Sequence, residues 1–206
     1  MPIGALVHGL RPAAPSAVVD AARAIAFRGL ILVYLVLEED RFTEYDAHYF
    51  PDGNMPLARL SEPKNYSLAR EPRGLTVLCA EVPADPGSAD WQAGDEALGR
   101  ALCEWLKAAG LPVRSRVRRV ATRRLTHAYP VYRRGYESHL AEMERWTAGI
   151  EGLLTFGRQG LFAHDNLHHA LYMGYSAAAC FQAGGEFDTE RWRRFRQAFD
   201  THVVED

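Results

Sequence analysis

The stretch from Leu154 to Ala178, LTFGRQGLFAHDNLHHALYMGYSAA, is where residue types and spacing point to chemistry. A short apolar run, Gly152 to Gly157, reads as a strand that ends in glycine. Arg158 follows, then a loop, then a helix expected to start near Asn166 and to run through Phe181. Glycine lets a ligand approach the backbone closely. The first N–H groups of a helix lack intrahelical partners, and that end of its dipole is positive. A strand, a Gly-Arg turn and a helix start in this order therefore favour a negative or electron-rich ligand.

Four side chains here also suit a metal. His164 and His168 stand four residues apart, a spacing that can put two imidazoles on one helix face, and Asp165 offers a carboxylate. The helix is not expected to have formed at His164, and no HExxH context exists. Helix capping or a polar cleft therefore suits His164, Asp165, His168 and His169 better, and no metal ligand set is assigned. Tyr129, Tyr132 and Tyr136 suit a pocket wall or simple core packing equally. Arg114, Arg116, Arg118, Arg119, Arg123 and Arg124 alternate in part with valines, as charges on a half-solvated edge strand do. That pattern, with a net charge of -2, argues against a nucleic-acid surface. No Ser-His-Asp or Cys-His arrangement is legible.

The surrounding elements must position these groups. Ser16 is placed to cap a helix over Ala17 to Phe27. Leu30 to Leu37, eight apolar residues, reads as a strand buried on both faces. The run is far short of the roughly 20 residues of a membrane span. Short strands are expected at Ala47 to Phe50 and Ala58 to Leu60, and a longer one at Leu75 to Val82. Asp90 to Ala109 is amphipathic, with Leu98, Leu102, Trp105 and Leu106 on one face. Strands follow between Val113 and Pro130. Helices are expected over Gly135 to Ile150 and Glu190 to Val203. Without regular βαβ alternation, the fold class is α+β: a mostly antiparallel mixed sheet flanked by helices, with a C-terminal strand-loop-helix. Residues 1–150, an α+β part, and residues 151–206, a C-terminal strand, helix and terminal helix, are expected to pack as one compact unit. Cys79, Cys103 and Cys180 are too few and too dispersed for a disulfide framework, so a reducing cytoplasm is expected.

Gly157-Arg158-Gln159-Gly160-Leu161-Phe162, Asn166, His169-Ala170 and Met173-Gly174 together resemble the C-terminal flavin motif of the FAD-dependent amine-oxidase superfamily. The likeness is to its protoporphyrinogen-oxidase-like branch and, more distantly, to UDP-galactopyranose mutases. Ala128-Tyr129-Pro130-Val131-Tyr132 with Gly135-Tyr136, Arg59 to Asn65, and Ala21 to Leu30 resemble further segments of the same proteins. The resemblance implies FAD contacts at Gly157, Arg158, Asn166, Leu167 and His168, and a substrate pocket at Tyr129, Tyr132 and Tyr136. It implies hydride transfer from substrate to flavin, with the cofactor supplying the redox chemistry and no catalytic base assigned. Substrates of such domains include polyamines, porphyrinogens, carotenoids and sugar nucleotides.

Two departures from the superfamily stand out. The sequence has no GxGxxG, so the nucleotide-binding segment is expected to lie outside these residues, with a companion chain as one source. Where relatives carry an acidic residue and an aromatic one, this chain has His168 and His164. A non-catalytic interaction module derived from the same domain is the alternative.

Overall fold

The computed structural model describes residues 1–68, 71–202 and 204. Its elements are α1 (Ile3–Gly9), α2 (Ser16–Ala24), β1 (Ala26–Leu37), β2 (Ala47–Tyr49), β3 (Arg59–Ser61), a 3-10 turn (Pro63–Tyr66), β4 (Thr76–Pro83), α3 (Ala89–Gln92), α4 (Asp95–Ala108), β5 (Val117–Val131), α5 (Tyr136–Ala148), α6 (Gly157–Gly160), α7 (Leu167–Ala179) and α8 (Thr189–Phe199). The class is α+β. The five strands form one sheet in the order β2-β3-β4-β1-β5, and the pairs β2–β3, β3–β4 and β4–β1 are antiparallel.

The chain divides into two compact units: residues 28–128, and residues 1–27 with 129–206. In the first, β1 pairs with β4 so that Ile31, Val33 and Leu35 stand beside Val82, Ala80 and Leu78. These side chains share a core with Leu98, Leu102 and Leu106 of α4. Each buried leucine contributes about 2 kcal/mol by leaving water. Glycine at position 99 permits this packing, because a Cβ there would stand 2.6 Å from Val120 Cγ2. Among the described residues Glu62 anchors the adjoining loop. Its buried carboxylate accepts from Phe42 N–H at 2.9 Å, Thr43 N–H at 3.0 Å, the Thr76 hydroxyl at 2.6 Å and Asn65 Nδ2 at 3.1 Å.

In the second unit, Ile3 and Val7 of α1, Val18, Ala21 and Ala22 of α2, and Met143 of α5 form one core. Leu161, Met173, Ala177, Cys180, Trp192 and Phe199 form another, beneath α7 and α8.

Several expectations are corrected. β1 is not buried on both faces: burial alternates, because α4 covers one face while Leu32, Tyr34 and Val36 stay half-buried. The helix expected over Asp90 to Ala109 is two, interrupted at Ala93-Gly94, whose extended backbone restarts it. Ser16 lies inside α2, and Pro15 occupies the cap position. The strand expected from Gly152 to Gly157 is a turn followed by the one-turn helix α6. The positive φ of Gly152, 75°, and of Gly157, 77°, is incompatible with pairing there. β5 runs through Pro130 to Val131. The helix expected up to Val203 ends at Phe199, and Val203 lies outside the described residues. No described helix is long and apolar enough to cross a membrane.

Candidate functional site

The segment from Gly157 to Asn166 connects the residues expected to contact a flavin with the tyrosines expected beside it. Gly157, at φ 77°, starts α6, and its N–H donates to Met173 Sδ of α7 at 3.1 Å. A Cβ built at Gly157 would meet nothing within 4 Å, so this face of the backbone is open. Arg158 folds back over the loop. Its Nε donates to the Asp165 carbonyl at 3.0 Å, and its Nη2 donates to the same oxygen. Its guanidinium lies over the Tyr129 ring, 5.1 Å from the centroid. Tyr129 in turn meets His164 edge-on, with centroids 5.6 Å apart.

Phe162 is the hub of the aromatic groups. It is a non-glycine residue held at positive φ, 52°, and is buried. Its ring packs edge-on to Phe27 at 5.0 Å and lies 5.7 Å from Tyr132 and 5.6 Å from Tyr136. Tyr132 and Tyr136 are themselves 4.8 Å apart. Burial pushes the Tyr132 phenol above its ordinary range, offset in part by a backbone hydrogen bond from His164.

α7 begins at Asn166, as its sequence suggests. A reciprocal cap satisfies two backbone donors: the Asn166 side chain accepts from the His169 N–H, and His169 Nδ1 accepts from the Asn166 N–H at 3.2 Å. No acidic residue occupies the first turn itself, and the nearest carboxylate is that of Asp165, one residue before the cap. Leu167 is 76% exposed and His168 is also exposed.

The structure thus ties Gly157 to Met173 in the middle of α7, ties Arg158 to the Asp165 carbonyl before α7 and to Tyr129, and groups Tyr132 with Tyr136. Leu167 and His168 lie on the outer side of the same helix start. His164 and His168 do not pair: His164 precedes the helix and packs on Tyr129. The carboxylate of Asp165 instead faces His169 and His202. His202 escaped the sequence reading, and Phe162 and Met173 entered it only as members of the flavin-like motif, without these contacts. A positive φ at phenylalanine carries no sequence signal, and His202 stands 37 residues after Asp165, by the difference of their numbers. A cavity of about 880 Å³ lined by Glu144, Leu154, Phe181, Phe187, Trp192 and Arg196 also lies in this unit and contains none of the expected site residues.

One further surface is distinctive. α7 carries no Asp, Glu, Lys or Arg, and Leu167, Leu171 and Tyr175 follow one another at four-residue steps, all exposed. Such an unbroken apolar stripe is unusual on a solvated helix.

No protein-family model matches the sequence, and no curated protein does. Solved structures do. The chain is similar to reduced UDP-galactopyranose mutase, with a TM-score of 0.59 and 17% identity over 78% of this chain and 34% of the mutase. It is also similar to a protein assigned as a protoporphyrinogen oxidase from Exiguobacterium sp. 255-15, with a TM-score of 0.53 and 16% identity over 70% of this chain and 32% of that one. At these identities the likeness is one of fold. The chain spans about a third of the length of each.

Proposed function

We propose that this chain supplies the substrate-side part of an FAD-dependent, amine-oxidase-like oxidoreductase. In that role it forms one wall of the isoalloxazine site and is completed by a nucleotide-binding segment that carries GxGxxG. The observation that carries the proposal is the turn at Gly157-Arg158: an open, left-handed glycine whose N–H is tied to Met173 of α7. An electron-rich ring beside the N-terminal end of that helix would gain electrostatic stabilisation from its dipole when it is reduced. The fold likeness to a mutase studied in its reduced state and to a protein assigned as an oxidase supports the same assignment.

The cofactor would supply hydride acceptance. Gly157, Asn166, Leu167 and His168 would border it, and Arg158 would hold the border in shape through the Asp165 carbonyl. Tyr132 and Tyr136, fixed by Phe162, would line the substrate side, with Tyr129 beside Arg158. The second reading, a non-catalytic interaction module, draws on the exposed line Leu167, Leu171 and Tyr175.

Flavin absorbance near about 450 nm tests the proposal. The chain alone should purify colourless. Co-purification with a GxGxxG-bearing chain encoded beside it should give a yellow complex, and Arg158→Ala should lower its flavin content. Stoichiometric FAD on the chain alone would contradict the need for a second segment. A colourless complex would favour the interaction module, and unchanged flavin in Arg158→Ala would remove that residue from the site.

A further inference from the structure

The loop that leads into α7 buries a carboxylate. The Asp165 side chain is 5% exposed, and its Oδ2 has no hydrogen-bond partner among the described residues. A buried anion is costly unless a cation or a proton compensates it. Arg158, the nearest cation in sequence, spends its donors on the main-chain carbonyl of Asp165 rather than on the carboxylate. Two imidazoles face the carboxylate instead. His169 Nδ1 lies 3.7 Å from Oδ1 and His202 Nδ1 lies 3.9 Å from it. His202 Nδ1 is likewise buried without a hydrogen-bond partner among the described residues. One donor atom from each of the three residues falls within 4.8 Å of the others.

We propose that Asp165, His169 and His202 form a site for a divalent metal of the zinc class. Two imidazoles and one carboxylate match that class, whereas calcium and magnesium prefer all-oxygen sets. Three protein ligands leave a fourth position for water. Tetrahedral zinc with nitrogen and oxygen ligands sets its donors about 3.4 Å apart, so the observed 3.7 and 3.9 Å close by a few tenths of an ångström. The rings of His169 and His202 stack, with centroids 4.3 Å apart and planes 15° from parallel. Coordination turns them out of that stack so that their in-plane lone pairs converge. If His169 binds through Nδ1, it exchanges the Asn166 N–H for the metal. The site would clamp the first turn of α7 to the segment after α8, where the His202 N–H donates to the Phe199 carbonyl at 3.1 Å. The proposal is independent of the flavin assignment. The rival compensation is a proton shared between Asp165 and the imidazoles.

The test uses the full, untagged chain, stripped with chelator and titrated with zinc(II) by calorimetry at neutral pH. Cobalt(II) absorption serves as a second readout. One equivalent should bind, with proton release because the ligands must be deprotonated. Asp165→Asn and His202→Ala should each weaken binding by at least about tenfold, while His164→Ala, outside the set, should bind as the parent does. His202→Ala lies past the last helix and keeps the test sound if the loop variant fails to fold. Absence of binding, or equal binding in His202→Ala, would overturn the metal site in favour of the shared proton.

Discussion

Phe162 joins a strained backbone to a packed ring, and two substitutions separate the contributions. Phe162→Ala removes a buried ring that contacts Phe27, Tyr132 and Tyr136. The loss should be about 3–5 kcal/mol, the usual cost of a phenylalanine-sized cavity. Alanine keeps the cost of a left-handed backbone, about 1–2 kcal/mol for a residue with a Cβ. Phe162→Gly creates the same cavity but removes that cost, at the expense of about 0.5–1 kcal/mol of added chain entropy in the unfolded state. At an ordinary position alanine is the more stable of the two. At φ 52° the order should invert, with the glycine variant ahead by about 1 kcal/mol. Urea titration by circular dichroism reads this as a midpoint about 0.5 M higher for glycine, at a slope of about 2 kcal/mol/M. An alanine variant equal to or more stable than the glycine variant would refute the left-handed backbone. A loss below about 1 kcal/mol in both would refute the packed ring.

Glu62→Gln should cost about 2 kcal/mol in the same assay, because its amide nitrogen must face one of the donors that the carboxylate now accepts, the N–H groups of Phe42 and Thr43 among them; a change under about 0.5 kcal/mol would show that the anchor is dispensable. Burial pushes the Cys79, Cys103 and Cys180 thiols upward, with the Tyr34 hydrogen bond partly offsetting this at Cys79. The unfolded thiols therefore lose protons first. Their contribution to stability should be complete below about pH 8.5 and should decline as pH rises beyond it. Alkylation of the native chain at pH 8 should be slower than that of the urea-unfolded chain, and equal rates would refute the burial of the thiolate-forming groups.

Repetitive patterns were the legible part of the sequence. Leu98, Leu102 and Leu106 announced α4 because a helix one face deep repeats every three or four residues. The mostly apolar run Leu75 to Val82 announced β4, and Asn166 marked the start of α7. Short or tertiary-dependent features stayed hidden. α1 has seven residues and is held by burial of Ile3 and Val7 rather than by its own propensity. Gly157 looked like the end of a strand because glycine serves both turns and strand ends; only its φ separates them. The grouping of residues 1–27 with 129–206 depends on contacts between distant segments. No local pattern announces such contacts. His202 reaches Asp165 for the same reason.

The polar groups expected to meet a ligand are already engaged within the chain, and that constrains how a flavin could be held. The Gly157 N–H is given to Met173, the Arg158 donors to the Asp165 carbonyl, and two donors at the start of α7 to the Asn166–His169 cap. The open backbone face of Gly157 and the dipole of α7 remain. Both act through close approach and field rather than through new hydrogen bonds. Arg158 would then serve as a positioning residue: its removal loosens the 158–165 loop and leaves the Asp165 carbonyl without that donor, an effect larger than the loss of one exposed charge. On the proposed reading, most of the binding energy for FAD would come from the proposed nucleotide-binding segment, and the exposed line Leu167, Leu171 and Tyr175 is the surface of α7 with the most to gain from being covered.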